Sequence, residues 1–444
     1  MVADANPTKE FFAEVLGKDI TLVAAIIDLV DNSVDGARRL RGSGSFAGLK
    51  IDIEARADRF SIHDNCGGIA VPLAAEYAFR FGRPGNKKPP EFSTGQFGVG
   101  MKRALFKLGD HFHVTSATQT SSFELDVDVP EWLAESGKDW TFELKNVREG
   151  IRVADTKVGT AIKVDRLHPT ISQDLGNLQT LSQLRLELRH RHLLSLSKGL
   201  VIRVNGDAVR AEAPTLIETP QIKPAYRRFQ LNGDGPLVDV RLLCGVSNGP
   251  AREGGWSVFL NSRMVLVNDQ SGITGWGTKD ARRIPQFHGQ YGKFRGYAFM
   301  DCKTTTRLPW DTTKTGLDVD SPRYREMAAG MVELMEPVVR FLDEVDRENT
   351  DARKTGREGP LLKALAVKER PLFDVLKTAP RGRRAEREFS RPPAKPRQPE
   401  PAKQSIQFSR PKEEVERMKE YFGVTSAGAA GEQAWEYILE VEEL

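Results

Sequence analysis

Three carboxylates and an amide recur at helical spacing in Asp28-Leu-Val-Asp31-Asn32-Ser-Val-Asp35. At about 100° per residue, Asp31, Asn32 and Asp35 fall within roughly 60° of Asp28, and Leu22, Ile26, Leu29, Val30 and Val34 fall on the opposite side. One helix would therefore bury an apolar face and present an acidic stripe. Carboxylates so placed repel one another unless positive charge sits on them. A hard cation with a phosphate beyond it fits, because Mg2+ takes oxygen ligands and keeps several waters.

Two further stretches carry residue types suited to a nucleotide. Asp64-Asn-Cys-Gly-Gly68 breaks an alternating run. A buried carboxylate there needs donors, which an adenine amino group would supply, although a simple Asx turn also accounts for it. Gly95-Gln-Phe-Gly98-Val-Gly100-Met-Lys102 matches neither the Gly-x-x-x-x-Gly-Lys-Ser/Thr loop nor the dinucleotide fingerprint. Its glycines still permit close backbone approach, the following helix offers N–H groups, and Lys102 adds a charge. An ordinary glycine turn is the alternative. His111-x-His113 and His190-x-His192 could be metal pairs, but no Cys or acidic partner stands at zinc spacing, so structural or surface roles are expected.

These residues need elements to hold them. The pattern predicts a short helix over 8–18 with Phe11, Phe12, Val15 and Leu16 apolar, and the acidic helix over 21–41 ended by Gly42-Ser-Gly44. Strands are expected at 49–54, 59–63, 113–116, 123–129, 141–144 and 160–164, with helices over 72–81 and from Gly98-Val-Gly100 to Gly109. Hairpins mixed with helices favour an α+β sandwich over a doubly wound sheet. Beyond a helix over 178–196, strands dominate from 200 to 300, with turns at Asn205-Gly206 and Asn232-Gly-Asp-Gly235, and a long helix covers 321–345. Residues 379–404 hold eight Lys or Arg, three Asp or Glu and six Pro, the composition of a disordered basic linker. After it, Ile406 and Phe408 alternate, and two amphipathic helices follow: a strand–helix–helix module.

The 444 residues suffice for two or three domains with cores. Hydrophobic content of 39% and charged content of 28% suit a globular chain with some polar linker. No run of about 18 apolar residues occurs and Met-Val-Ala-Asp-Ala-Asn-Pro holds no apolar signal core, so a cytoplasmic, non-membrane protein is expected. Cys66, Cys244 and Cys302 are odd in number and widely spaced, as free thiols would be. A net charge of only +4 confines any nucleic-acid affinity to a local patch.

The motifs, in this order, resemble the GHKL ATPase superfamily: gyrase-type topoisomerases, large heat-shock chaperones, histidine kinases and MutL. The likeness spans residues 8–345 and implies ATP and Mg2+ as cofactors in an N-terminal Bergerat-type α/β sandwich over 1–170. It places the general base for water attack at Asp28, the Mg2+ ligand at Asn32, with Asp35 beside it, and the adenine-binding carboxylate at Asp64 with Gly68 as its glycine. Gly95, Gln96, Phe97, Gly98, Val99, Gly100, Met101 and Lys102 correspond to the third motif, in the phosphate-covering lid of residues 82–100 and the start of the helix after it. Gly159-Thr160 corresponds to the fourth motif, which supports the adenine site. Two departures matter. Asp28 stands where the family usually carries glutamate, one methylene longer, so either the attacking water sits about 1 Å nearer the helix or hydrolysis is slow. Cys66 stands at a glycine position and would crowd the base unless the backbone shifts to use Gly67.

Leu308-Pro-Trp-Asp-Thr-Thr-Lys314-Thr-Gly316 resembles the transducer loop of topoisomerases and MutL, whose lysine reaches the γ-phosphate. The resemblance therefore implies a second, S5-type α/β domain over 171–350 that senses ATP through Lys314. A charged helix and linker would fill 351–404, and the small module 405–444. Pro7-Thr-Lys-Glu-Phe-Phe and Gly95-Gln-Phe-Gly98 look most like MORC-type ATPases and their bacterial relatives, in which an N-terminal arm helps ATP-bound heads to dimerise. The C-terminal module resembles a ribbon-helix-helix fold that would dimerise or enter a DNA groove. The expectation is an ATP-gated dimeric clamp acting on DNA. A chaperone-like ATPase and an ATP-sensing module with little turnover stand as alternatives.

Overall fold

In the computed structural model, the residues described are 8–80, 82, 91–94, 98–134, 140–233, 235–279, 284–311, 316–393 and 406–442. The hydroxyls of Thr8 and Thr21 accept from the N–H groups of Phe11 and Ala24 and so start helices α1 (Lys9–Lys18) and α2 (Leu22–Arg41). The apolar face of α2 is as expected: Ile26, Leu29, Val30 and Val34 are all buried. On α1, Phe11 and Val15 are exposed, while the side chains of Phe12 and Leu16 lie outside the described set.

β1 (Lys50–Arg56) and β2 (Arg59–Asp64) form the expected hairpin. The helix expected over 72–81 is instead α3 (Val71–Leu73) running into a π-type turn at Ala74–Ala78. α4 (Gly100–Leu108), β3 (His111–Ala117), β4 (Ser121–Asp128) and α5 (Val129–Ala134) follow. The strand expected at 141–144 starts only at Leu144, as β5 (Leu144–Glu149). Trp140 and Phe142 are spent on an aromatic cluster with Trp132 and Phe112 instead of a ladder. β6 (Gly159–Val164), α6 (Pro169–Gly176), α7 (Leu178–Arg191), α8 (Leu193–Ser197), β7 (Val201–Val204) and β8 (Asp207–Ala208) complete the first layer. The helix expected over 178–196 breaks at buried His192, and the Asn205-Gly206 turn is present with φ of 54° and 90°.

These strands make one sheet in the order β5-β4-β3-β6-β2-β1-β7-β8, antiparallel except for β1 beside β7. The first layer therefore runs past 170, because β7 takes the second edge of β1 and Val204 and Val209 join the first core.

The second layer holds β9 (Thr215–Leu216), β10 (Ala225–Leu231), β11 (Val238–Val246), β12 (Gly255–Leu260), β13 (Arg263–Asp269) and β14 (Phe294–Asp301), then α9 (Pro322–Thr355). α10 (Pro360–Leu365), β15 (Arg370–Pro371), α11 (Leu372–Lys377) and β16 (Glu386–Arg387) return onto it. Its main sheet is ordered β13-β12-β14-β11-β10-β16. Met327, Met331 and Met335 of α9 fill the core on one face, and Leu372 and Val375 of α11 pack with Phe259 and Tyr297 on the other. α9 outruns its expected end by ten residues and stops at Gly356, φ 68°. The linker expected from 379 begins later: Ala379 and Ala385 are buried, β16 pairs with β10, and Arg387 pairs with Glu218.

Residues 395–444 form a separate unit. It holds α12 (Lys412–Phe422) and α13 (Ala427–Val441), joined through Gly423 at φ 65°. No strand occurs over 406–411, where Ile406 and Phe408 are exposed. Alternation alone cannot make a strand, which needs a neighbour for its backbone groups. The three cysteines are free and buried. Among the described residues no helix is long and apolar enough to cross a membrane.

Candidate nucleotide site

α2, the end of β2, the start of α4 and the start of β6 converge on a cavity of about 160 Å³. Nine of the expected residues line it: Asn32, Asp35, Asp64, Gly68, Gly98, Gly100, Met101, Lys102 and Thr160. Asp28 and Val99 are not in its lining. Gly95, Gln96, Phe97 and Lys314 lie outside the described residues. Sequence reasoning missed Ser33, Arg39 and Tyr77, which also line the cavity. Arg39 was within reach of the helical wheel, one turn beyond Asp35.

The acidic stripe is neutralised from within the chain. Arg103 Nη2 donates to Asp28 Oδ2 at 2.7 Å, Arg263 pairs with Asp31, and Arg38 Nη1 stands 3.5 Å from Asp35 Oδ1. Each carboxylate thus has its own guanidinium, and Asp28, Asp31 and Asp35 are all buried. Burial pulls the Arg38 and Arg263 guanidiniums below their ordinary values, against the pull of the nearby carboxylates. The positive charge that the stripe requires is supplied in part by these arginines. Asn32 is the exposed member, and it faces the cavity.

Asp64 closes the other end. Ser33 donates to its Oδ2 at 2.6 Å and the Cys66 N–H to its Oδ1 at 2.7 Å. Asp64 sits across from Thr160 in the β2–β6 register, and Thr160 Oγ1 lies 2.9 Å from Ser116 Oγ, which also accepts the Ile69 N–H. Burial raises the Asp64 carboxyl above its usual range, and the hydrogen bonds from Ser33, Cys66 and Thr160 only partly offset this. The sign follows. In the window between its ordinary and its raised value the fold holds Asp64 protonated. That contribution to stability is complete below the unfolded value and is lost as pH rises through the folded one. A donor amino group is held more strongly by the ionised form. ATP affinity should therefore fall as pH is lowered through the raised value, and Asp64→Asn should flatten that limb. Binding isotherms between pH 5 and 8 of parent and variant check this.

Cys66 takes its glycine position without filling the cavity. Its side chain is buried, with Sγ 3.9 Å from the Lys50 carbonyl, and burial pushes the thiol far up. The backbone shift falls on its neighbours: Gly67 and Gly68 have φ of 102° and 68°, and a Cβ on Gly68 would meet the Ala117 carbonyl at 2.1 Å. α2 accommodates the bend through Gly36, where a Cβ would lie 2.5 Å from the Cys66 carbonyl. A mid-helix glycine, normally a cost, is what lets the loop close on α2.

The described part of the lid is held from two sides. Thr94 donates its N–H and hydroxyl to Asp35, while Arg38 donates to the Phe92 carbonyl. From the second layer, Asn261 donates to the Ser93 carbonyl, the Phe92 N–H donates to the Lys303 carbonyl, and Lys303 pairs with Glu91. Lys102 is buried, donating to the carbonyls of Ala78 and Gly98. A Cβ on Gly100 would stand 3.1 Å from Asp28 Oδ2, so this glycine admits the start of α4 against the carboxylate. The loop after Leu308 is closed by a bridge between Trp310 and Leu317.

His111 and His113 both face Asp126, at 3.0 and 3.6 Å, and among the described residues no cluster of three or more His, Cys, Asp or Glu could hold a metal. His192 is buried and, by that burial and the nearby Arg38 and Arg191, pulled down to about 3. A Mg2+ ion would have to bring phosphate and water ligands here, since Asn32 is the one exposed member of the acidic stripe and lines the cavity.

Residues 20–160 match the family described as histidine kinase-, DNA gyrase B- and HSP90-like ATPases. This stretch is a domain of the GHKL superfamily. No curated protein matches the chain.

Proposed function

We propose that this protein binds ATP in the α2–Asp64–α4 cavity, hydrolyses it slowly, and acts as an ATP-gated dimeric clamp on DNA. The carrying observation is that one cavity gathers Asn32, Asp64, Lys102 and Thr160 from four separated stretches, while the second layer holds the lid at Ser93. Asp64 takes the adenine amino group. Lys102 and the N–H groups opening α4 face the phosphates, and Asn32 holds Mg2+, which screens phosphate charge. Asp28 takes the proton of the attacking water. Lys314 reports the γ-phosphate to the second layer. The exposed Phe11 and Val15 of α1 offer apolar surface to a second head. Residues 406–442 carry eight Glu against four Lys or Arg, so DNA contact falls to the basic stretch before them.

One observation favours a second reading, an ATP switch with little turnover: Asp28 is short and already paired with Arg103. The test is sedimentation with a non-hydrolysable ATP analogue and magnesium. The parent should dimerise and Asn32→Ala should stay monomeric. Dimerisation of the variant like the parent would remove Asn32 from the site. Phosphate release by the parent separates the two readings.

A further inference from the structure

Arg263 opens β13 in the second layer, yet its guanidinium is buried against α2, where Nη1 donates to Asp31. Both side chains are only 3% exposed, and 232 positions separate them in sequence. Asp28 and Asp311 are the other carboxylates acting on this guanidinium. His192 Nε2, from the break between α7 and α8, stands 3.8 Å from the second Asp31 oxygen. The pair thus joins three places: the α2 turn that carries Asn32, the first strand residue of the second layer's edge, and the loop that begins at Trp310. Desolvating two ions is costly, and a matched apolar pair would hold two elements together as well. What a buried, charge-assisted hydrogen bond adds is a single register between its elements.

We propose that Arg263 is a positioning residue: through Asp31 it fixes the α2 turn bearing Asn32 and transmits the nucleotide state of the cavity to β13 and the 308–316 loop. This rests on the nucleotide reading above. It goes beyond that reading by assigning the coupling to a residue outside the cavity, independent of Lys314. A ligand can shift the second layer only if some element has different contacts in the two states. A turn of α2 that moves when phosphate arrives must carry Asp31, and Arg263 with it.

The test is hydrogen exchange with and without a non-hydrolysable ATP analogue and magnesium. In the parent, the analogue should slow exchange both around the cavity and in 263–269 and 308–317. Arg263→Met alone leaves Asp31 buried without its cation and risks unfolding. The informative variants are therefore Asp31→Leu with Arg263→Met, which removes both charges, and Arg263→Lys, which keeps the charge but replaces the planar guanidinium by a compact ammonium. Both should keep protection around the cavity and lose it in the second layer. Arg263→Lys should lower kcat by about tenfold with KM for ATP nearly unchanged, a split that a merely structural defect would not give. Parent-like protection of the second layer in both variants would overturn the proposal. A parent that shows no protection anywhere overturns the nucleotide reading itself, and the proposal with it.

Discussion

Asp28→Asn should abolish turnover while leaving ATP bound. Asn keeps the shape of the side chain and an oxygen for Arg103 Nη2, which now sits 2.7 Å from Asp28 Oδ2, so the buried contact survives in part and the fold with it. What disappears is the proton acceptor. General-base catalysis is worth on the order of 10²–10⁴-fold, and phosphate release should fall by that factor. Asp28 is not part of the cavity lining, so ATP affinity should change little. Phosphate release and equilibrium titration of a fluorescent ATP analogue separate the two quantities. Asp28→Ala is the poorer choice because it strands a buried guanidinium, a defect that costs several kcal/mol. Undiminished phosphate release by Asp28→Asn would move the base elsewhere.

The second large effect is expected at Asp64. Asp64→Ala removes the acceptor for the Ser33 hydroxyl and the Cys66 N–H as well as for an adenine amino group. Each buried group left unpaired costs about 1–3 kcal/mol, so ATP should bind on the order of 10–100-fold more weakly, with some loss of melting temperature. Asp64→Asn tells recognition from stability. Its amide oxygen can still receive the Cys66 N–H, while its NH2 group donates to the Ser33 hydroxyl and offers a donor to the base. It should lose affinity for ATP and gain affinity relative to parent for inosine triphosphate, which presents a carbonyl in place of the amino group. Calorimetric titration with both nucleotides decides this. Unchanged discrimination would mean that Asp64 does not read the base.

What could be read from the chain follows from how local its causes are. The apolar face of α2, the Asp64 strand end, the glycine-opened α4 and the Asn205-Gly206 turn all depend on neighbours a few residues apart, and all were legible. The partners of the acidic stripe were not, because Arg103 and Arg263 lie 75 and 232 positions from the carboxylates they neutralise. Helical spacing shows that charge must be balanced, but not by what. Composition misled at 379–393: five arginines read as linker, yet Arg387 is anchored on Glu218 and Ala385 packs inside. At 406–408 the period was right for a strand, but a period cannot supply a hydrogen-bonding neighbour.

The two edges of the second sheet bear on how copies of this protein can meet. At one edge, Glu386 and Arg387 pair with Tyr226 and Arg227 of β10. At the other, Arg191 Nη1 caps the Met264 and Val265 carbonyls of β13. The Met264 and Val265 carbonyls and part of the β10 edge are thereby taken, which leaves a foreign strand fewer backbone groups to zip onto. Edge-to-edge fibre growth, the standing hazard of an open sheet, is hindered at these positions.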